Sequence, residues 1–343
     1  MIRQRIRPDM LPKLIAGLII LLVLIFPVFT TNQMILSMLI MSGILAIGTM
    51  GFTIVLKVGQ FSLGQASFMA IGAYSLGIIL NTLHFPFWPS FLSAGIISGI
   101  FALLIGLVVL RVGGIYFSII TLAVGELVRI VAENWEAVTG GVRGLTISPP
   151  ETITLGSFEL NFSAGAVPFY YFMIVLVAIT SLVVWQIGRV RIGETFYGVA
   201  ANPVLVEHHG VDPMKYRTIA FTVAGALTGF AGALYGSFQS VITPGEFGLW
   251  QSVQLMMMSV VGGLSNIIAG GIVGAIVLYT LSSELSSFRI YGIQPLLFGA
   301  AVILALLFLP KGTGLIDIWG RVWQKVLAPK AGTTNMSSCT KES

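Results

Sequence analysis

The sequence predicts an all-α integral membrane protein, a polytopic bundle of about ten transmembrane helices. Three observations carry this expectation. Of the 343 residues, 56% are hydrophobic and only 9% are charged, whereas a soluble domain carries about a quarter charged residues. The apolar residues fall into runs of near bilayer length. The 18 Lys and Arg residues collect on one side once the runs are threaded alternately across a membrane.

Taken in order, the runs cover 14–29, 34–56, 62–83, 91–110, 115–132, 167–187, 218–238, 253–264, 267–285 and 295–309. The first follows Arg3, Arg5, Arg7 and Lys13, as in a secretory leader. It ends in Phe29-Thr30-Thr31-Asn32-Gln33 with no small-x-small cleavage pattern, so an uncleaved span is expected. With the N-terminus inside, only Arg129, Arg143 and Arg289 fall toward the outside, and both termini come out cytoplasmic. This divides the chain into a basic N-terminus (1–13), a membrane domain (14–316) and a cytoplasmic tail (317–343). In the tail, Trp319, Val322 and Val326 recur at helical spacing, as in a segment lying on the inner surface, and a solvated, frayed tail is the alternative. The longest outer loop, about 133–166, holds Gly140-Gly141, Gly144, Pro149-Pro150, Glu136, Glu151 and Glu159. Loops of this length are functional or unstructured.

One inner segment, about 188–217, is the long polar interruption of the second half. Arg189 and Arg191 flank it on one side, Lys215 and Arg217 on the other. Asn202-Pro203 is a helix start and Gly210, followed by Pro213, a helix stop. A helix of about two turns is expected there, lying on the inner membrane face and pushed on by another protein.

Several chemistries find no footing. There is no phosphate-binding Gly-x-x-x-x-Gly-Lys-Ser/Thr loop, no His-Glu-x-x-His zinc pattern and no Gly-x-Ser-x-Gly elbow. The one cysteine, Cys339, lies in the polar tail. His208 and His209 are adjacent and read as surface residues, and His84 with Phe85, Phe87 and Trp88 reads as an interfacial anchor. No enzyme activity, metal, cofactor or nucleic-acid partner is expected. A lipid-modifying enzyme would need a clustered His/Asp/Glu/Ser site.

Three features remain as functional candidates. Glu126 and Arg129 share a helix face at i, i+3, and Glu133 continues it. They line the mouth of a pathway or form a structural pair. Gln60, Ser62 and Gln65 sit among Gly59, Gly64 and Ala66, a composition suited to close helix packing or to a broken helix lining a cavity. The run from Gly262 to Asn266 resembles it. Val58-Gly59-Gln60-Phe61-Ser62 and Val261-Gly262-Gly263-Leu264-Ser265 form a faint internal echo.

These residues resemble those of a known family. Gly59-x-x-Ser62-Leu63-Gly64-x-Ala66-x-Phe68 with Gly72-Ala73-Tyr74 is similar to a run in permeases of branched-chain amino-acid ABC importers. So are Ile119-x-Thr121-Leu122-x-x-Gly125-Glu126-x-Val128-Arg129, Asn134-Trp135, and Thr139-Gly140-Gly141-x-x-Gly144. Gly225 to Tyr235, Val260-x-Gly262-Gly263 and the closing Phe308-Leu309-Pro310-Lys311-Gly312 extend the likeness in order, from about 40 to 316. The Thr139–Gly144 segment resembles the LivM-like type of the two paired permeases. The resemblance implies a second homologous permease, two separate ATP-binding cassette subunits that hydrolyse ATP, an extracytoplasmic binding protein and an amino-acid substrate. It implies a plasma membrane location in a bacterium or archaeon. It makes 193–212 the segment that couples to the ATPases, with Glu194, Asn202, Pro203, Glu207, Gly210 and Asp212 as candidate contacts. Ala200-Ala201 and Leu205-Val206 depart from the family's usual residues and make that contact more apolar. Gln60, Ser62, Gln65, Glu126 and Arg129 become candidate pathway residues. The alternatives are an ion-coupled carrier of a small polar solute, with Glu126 as its deep carboxylate, or the same permease role with a urea, amide or aromatic-acid cargo.

Overall fold

The computed structural model describes residues 25–27, 32–150, 153–155, 158–160 and 167–286, with isolated positions at 296, 299–300 and 303. The main helices are α1 (Gln33–Lys57), α2 (Gln65–Leu83), α3 (Phe87–Val109), α4 (Ile115–Asn134), the single turn α5 (Glu136–Thr139), α6 (Val167–Arg189), α7 (Arg191–Ala201), α8 (Pro203–His208), α9 (Pro213–Gln239), α10 (Leu249–Gly262) and α11 (Ile267–Ser286). Among the described residues, seven are long and apolar enough to cross a bilayer: α1, α2, α3, α4, α6, α9 and α11. The expected spans at 14–29 and 295–309 lie almost wholly outside the described residues, as does the tail.

Two expected spans differ from what is observed. The run at 253–264 belongs to α10, a helix of 14 residues. At 1.5 Å per residue it is roughly 21 Å long, short of a bilayer core of about 30 Å. The run at 62–83 becomes helical only from Gln65. In both places a Gly-containing stretch stops the helix ladder inside the apolar run, a break that hydropathy averaged over a window does not register.

The centre of the bundle is α1, whose apolar window is 83% buried. It packs against α9, α11, α6 and α10, while α9 packs also against α2 and α3. With apolar residues all around, α1 has no polar face to turn to solvent, which suits a helix enclosed by other helices. At the other extreme only 22% of the α4 window is buried. Ile119, Leu127 and Ile130 stand exposed along it, an apolar surface that suits lipid or another apolar surface.

Contact at the α9 crossings depends on missing side chains. A Cβ placed on Gly232 would come within 1.9 Å of the Met69 carbonyl oxygen of α2. A Cβ on Gly225 would lie 2.3 Å from Ala102 Cβ, and one on Gly229 would lie 2.3 Å from Ser98 Cβ, both on α3. Close backbone approach of this kind lets dispersion drive helix association where lipid is as apolar as the protein. Ser98 exploits it: its hydroxyl reaches both the Phe68 carbonyl at 3.0 Å and the Gly225 carbonyl at 2.9 Å. One serine thus joins α2, α3 and α9.

At one end of the bundle, β1 (Leu145–Thr146) pairs antiparallel with β4 (Val241–Ile242), Leu145 opposite Ile242. A second small hairpin joins β2 (Ile153–Leu155) and β3 (Phe158–Leu160). The long loop at 133–166 is therefore partly built, and one of its strands is tied to the α9–α10 connection. The α7–α8 segment closes the opposite end, between α6 and α9.

The Gly232 contact yields a test. Gly232→Leu should destabilise the protein by about 1–3 kcal/mol through overpacking. Gly245→Ala, where an added Cβ meets nothing within 4 Å, should stay within about 0.5 kcal/mol of the parent. Unfolding midpoints in detergent micelles measure both.

Candidate functional site

Three places carry polar side chains that the bundle has to accommodate, and the first is the break between α1 and α2. Gly51 of α1 faces Thr228 and Ala224 of α9, with an added Cβ 2.7 Å from the Thr228 hydroxyl. From that level α1 runs on for about 9 Å to Lys57. Gly59, at φ +74°, then reverses the chain in a left-handed conformation that suits glycine. Residues 60–64 lead back until Gln65 opens α2 at the starting level. There Gln65 Nε2 donates to the Thr228 hydroxyl at 2.6 Å and to the Ala224 carbonyl at 3.4 Å. Ala224 is eleven residues into α9, roughly 16 Å along a helix of roughly 40 Å. The N-terminus of α2 therefore lies well inside the bundle.

Freed backbone groups at this break are met by side chains of other helices. The Leu63 amide donates to the Thr121 hydroxyl at 3.1 Å, and the Ala66 amide to the Ser252 hydroxyl at 2.9 Å. The Ser118 hydroxyl donates to the Phe61 carbonyl at 2.6 Å. Thr121 and Ser118 come from α4 and Ser252 from α10, so two other helices meet the break and the first turn of α2. Gln60, Ser62 and Gln65 are all at most 2% exposed. Yet Gln60 Oε1, Ser62 Oγ and Gln65 Oε1 have no hydrogen-bond partner among the described residues. Such atoms are uncommon because each forfeits solvation with no return.

The second place is the end of α4, beside the turns Gly141–Arg143 and Pro244–Phe247. Arg129 Nε donates to Glu126 Oε2 at 2.7 Å, and Arg129 Nη1 to Glu133 Oε1 at 2.6 Å. All three side chains are partly exposed, between 27% and 36%. Two acids of one helix thus hold one arginine. Glu126 is five residues, about 7.5 Å along the axis, beyond Thr121. The triad and the α1–α2 break share α4, and among the described residues no hydrogen bond or ion pair joins them.

The third place is α7–α8. The chain leaves α6 at Arg189 and turns sharply, with Gly193 against the Gly188 backbone, where a Cβ would come within 2.8 Å. Phe196 and Val199 bury one face of α7. Asn202 caps α8, accepting from the Leu205 amide at 3.1 Å, and Pro203 occupies its first turn. Gly210, at φ +79°, ends the segment. Asp212 caps α9, accepting from the Met214 amide at 2.9 Å. Glu194 and Glu207 are exposed. A groove of about 360 Å³ opens between the two helices, lined by Glu194, Thr195, Leu205, Val206, His209 and Val211. The helix expected between Asn202 and Gly210 is present. The preceding helix α7 was not expected, although its Phe196/Val199 face carries the i, i+3 signal.

Other residues of the site escaped sequence reading as well. Lys57, Tyr197, Thr121, Thr228 and Ser252 are single residues whose role comes from partners more than 50 positions away. Tyr74 and Tyr235 stack edge-on against Phe247, and the Tyr74 hydroxyl and Glu246 Oε2 are buried without a hydrogen-bond partner. Among the described residues no group of three or more His, Cys, Asp or Glu side chains converges as a metal site would.

A polytopic helical bundle whose apolar runs are interrupted at depth, with polar side chains at the interruption, is the architecture of a membrane permease. The chain belongs to the family described as "Branched-chain amino acid transport system / permease component", whose model matches residues 34–309. It is 29% identical over 277 residues to the high-affinity branched-chain amino acid transport system permease protein LivM of Salmonella typhimurium, covering 74% of this chain and 63% of that protein. The LivM protein of Escherichia coli K12 matches to the same extent. The autoinducer 2 import system permease protein LsrC of Enterobacter sp. 638 is 27% identical over 279 residues, 78% of this chain and 76% of its own. The match thus spans less than two thirds of the LivM proteins' length. No solved structure matches.

Two substitutions separate the sites energetically. Thr228→Val strips Gln65 of its short hydrogen bond and should destabilise by about 1–3 kcal/mol. Glu133→Gln loosens one arm of the partly exposed triad and should change stability by less than about 1 kcal/mol. Chemical unfolding of the purified chain compares them.

Proposed function

We propose that the chain is one of two paired permeases of an ATP-driven importer in a bacterial or archaeal plasma membrane. It works with two ATP-binding cassette subunits on the inner side and an extracytoplasmic solute-binding protein on the outer side. The seven long helices, the short α10 crossing together with its flanking turns, and the runs at 14–29 and 295–309 make ten crossings and put both termini in the cytoplasm. In this reading 1–13 is a basic inner N-terminus, 14–316 the permease domain and 317–343 an inner tail. The long loop at 133–166 faces the binding protein, and 188–217 faces the ATPases.

The observation that carries this reading is the buried break at the start of α2. A 19-residue helix begins inside the bundle, and three buried oxygens there lack partners. Helix N-termini at such depth favour anionic groups, and unpaired oxygens favour N–H donors. A small zwitterion meets both demands. Gln60, Ser62 and Gln65 are thus the core of the pathway. Glu126 and Arg129, already paired, shape the charge at its outer mouth. Amino acids, branched-chain ones first, are the proposed cargo, in line with the name of the LivM relatives. The LsrC likeness favours a second reading with the same machinery and a different small polar cargo.

On the inner side, α7–α8 offers the ATPases a handle of its own. Val204 and Leu205 are more than half exposed beside the groove, an apolar surface that a partner would cover. Glu194, Asn202, Pro203, Glu207, Gly210 and Asp212 hold or flank it.

Uptake of labelled leucine by cells co-expressing the chain with its paired permease, ATPases and binding protein tests the reading. Uptake should require ATP hydrolysis and should fall to background in Gly210→Pro, because proline cannot adopt a positive φ. Uptake that needs no ATPase and follows a sodium or proton gradient would replace the importer with an ion-coupled carrier. Val204→Cys in a Cys339→Ser background should react with impermeant thiol reagents only from the inner side.

A further inference from the structure

Lys57 is the last residue of α1 and only 9% exposed. A buried ammonium normally sits against a carboxylate. Here, among the described residues, the only ion pairs are those of Arg129. Lys57 Nζ donates instead to the Tyr197 hydroxyl of α7 and to the Ser265 carbonyl at 3.4 Å, and it lies 4.3 Å from the Tyr197 ring centroid. Ser265 belongs to the turn between α10 and α11. A second contact lies beside the first. A Cβ on Gly59 would come within 3.1 Å of Ala200 Cα, so the end of α7 rests on the residue at which the chain reverses after α1. Gly263, which starts the other turn, has φ +107°. Both of these interruptions therefore meet α7 or Lys57 at one point. Tyr197 is 55% exposed even as it holds Lys57.

We propose that Lys57 and Tyr197 form the joint by which movement of the α7–α8 segment reaches the two interruptions, with Lys57 a positioning residue for the pathway. This rests on the importer reading above. The chemistry suits a joint more than a clamp. A hydroxyl and a carbonyl hold an ammonium without a full opposite charge, so the contact can open and close without separating an ion pair. The negative ends of α1 and of the short helix α10 lie close to the cation and keep it in place when one partner shifts. Tyr197 presents its free side to whatever covers α7, and its hydroxyl to the lysine behind it. A push on α7 therefore moves Lys57, and with it the ends of α1 and α10. From the end of α1, the loop carries the displacement to Gln60, Ser62 and the start of α2.

The test uses the complete importer in liposomes, with labelled leucine as the probe and ATP hydrolysis measured alongside. Tyr197→Phe, which keeps the ring, and Lys57→Met should each lower leucine taken up per ATP hydrolysed by about ten-fold, the scale of one hydrogen bond to a charged group. KM for leucine should stay within about two-fold, since neither residue touches the solute. The double variant should be no worse than the worse single one, and Lys57→Arg should recover most of the ratio. If both single variants keep the wild-type ratio, or if the double variant loses the product of the two effects, the joint is refuted while the importer reading stands. A rise in KM with an unchanged ratio refutes it too. If Lys57→Met does not assemble, Tyr197→Phe decides alone. A wild-type assembly that takes up leucine without ATP hydrolysis removes the importer reading, and the joint with it.

Discussion

A helix interrupted inside a bilayer must find protein partners for every backbone group it releases, because hydrocarbon offers none. Much of this structure can be read as the consequence of that constraint. The stretch between Lys57 and Gln65 leaves several amides and carbonyls without a helix ladder. The hydroxyls of Ser118, Thr121 and Ser252 arrive from two other helices to meet them. Those helices can come close only because their neighbours are small. Gly64 lies against the Thr121 carbonyl, where an added Cβ would stand 2.2 Å away. The glycines of α9 bring α2 and α3 near enough for Ser98 to join three backbones. Polar satisfaction at the break and small-residue packing around it are thus one arrangement seen from two sides.

The same constraint separates polar groups that find partners from those that do not. Thr49 and Thr53 of α1 return their hydroxyls to carbonyls one turn back, and Thr53 also meets Ser259 at 2.6 Å. They are fully accounted for. The Arg129 triad is equally complete, closed on a single helix. Gln60, Ser62 and Gln65 are different, since each keeps an oxygen unmet at full burial. In the importer proposed above, a passing solute would supply the missing donor.

Much of the architecture was legible in the sequence because bilayer thickness imposes a length on each span. Six of the seven long helices begin and end within a few residues of their apolar runs, and α8 with its cap and stop follows from Asn202, Pro203 and Gly210. What escaped was set by partners far away in the chain. Hydropathy treats 253–264 as a span, because it cannot see that α10 stops short. Composition could flag Gln60 and Gln65 as polar among small residues. It could not say that Gln65 meets Thr228 while its oxygen stays unmet. Lys57 stands one residue past the apolar run at 34–56. Its meaning depends on Tyr197, 140 positions later.

The closure of the Arg129 triad on one helix has a consequence for any rocking of the bundle. Two carboxylates and one guanidinium sum to a single negative charge. All three ride on α4, so tilting that helix translates the charge as a rigid body and breaks none of its bonds. The net charge carried by that helix end is therefore the same whichever way the bundle leans. In the importer proposed above, alternation between states would then reshape the surroundings of that charge and leave its sign alone.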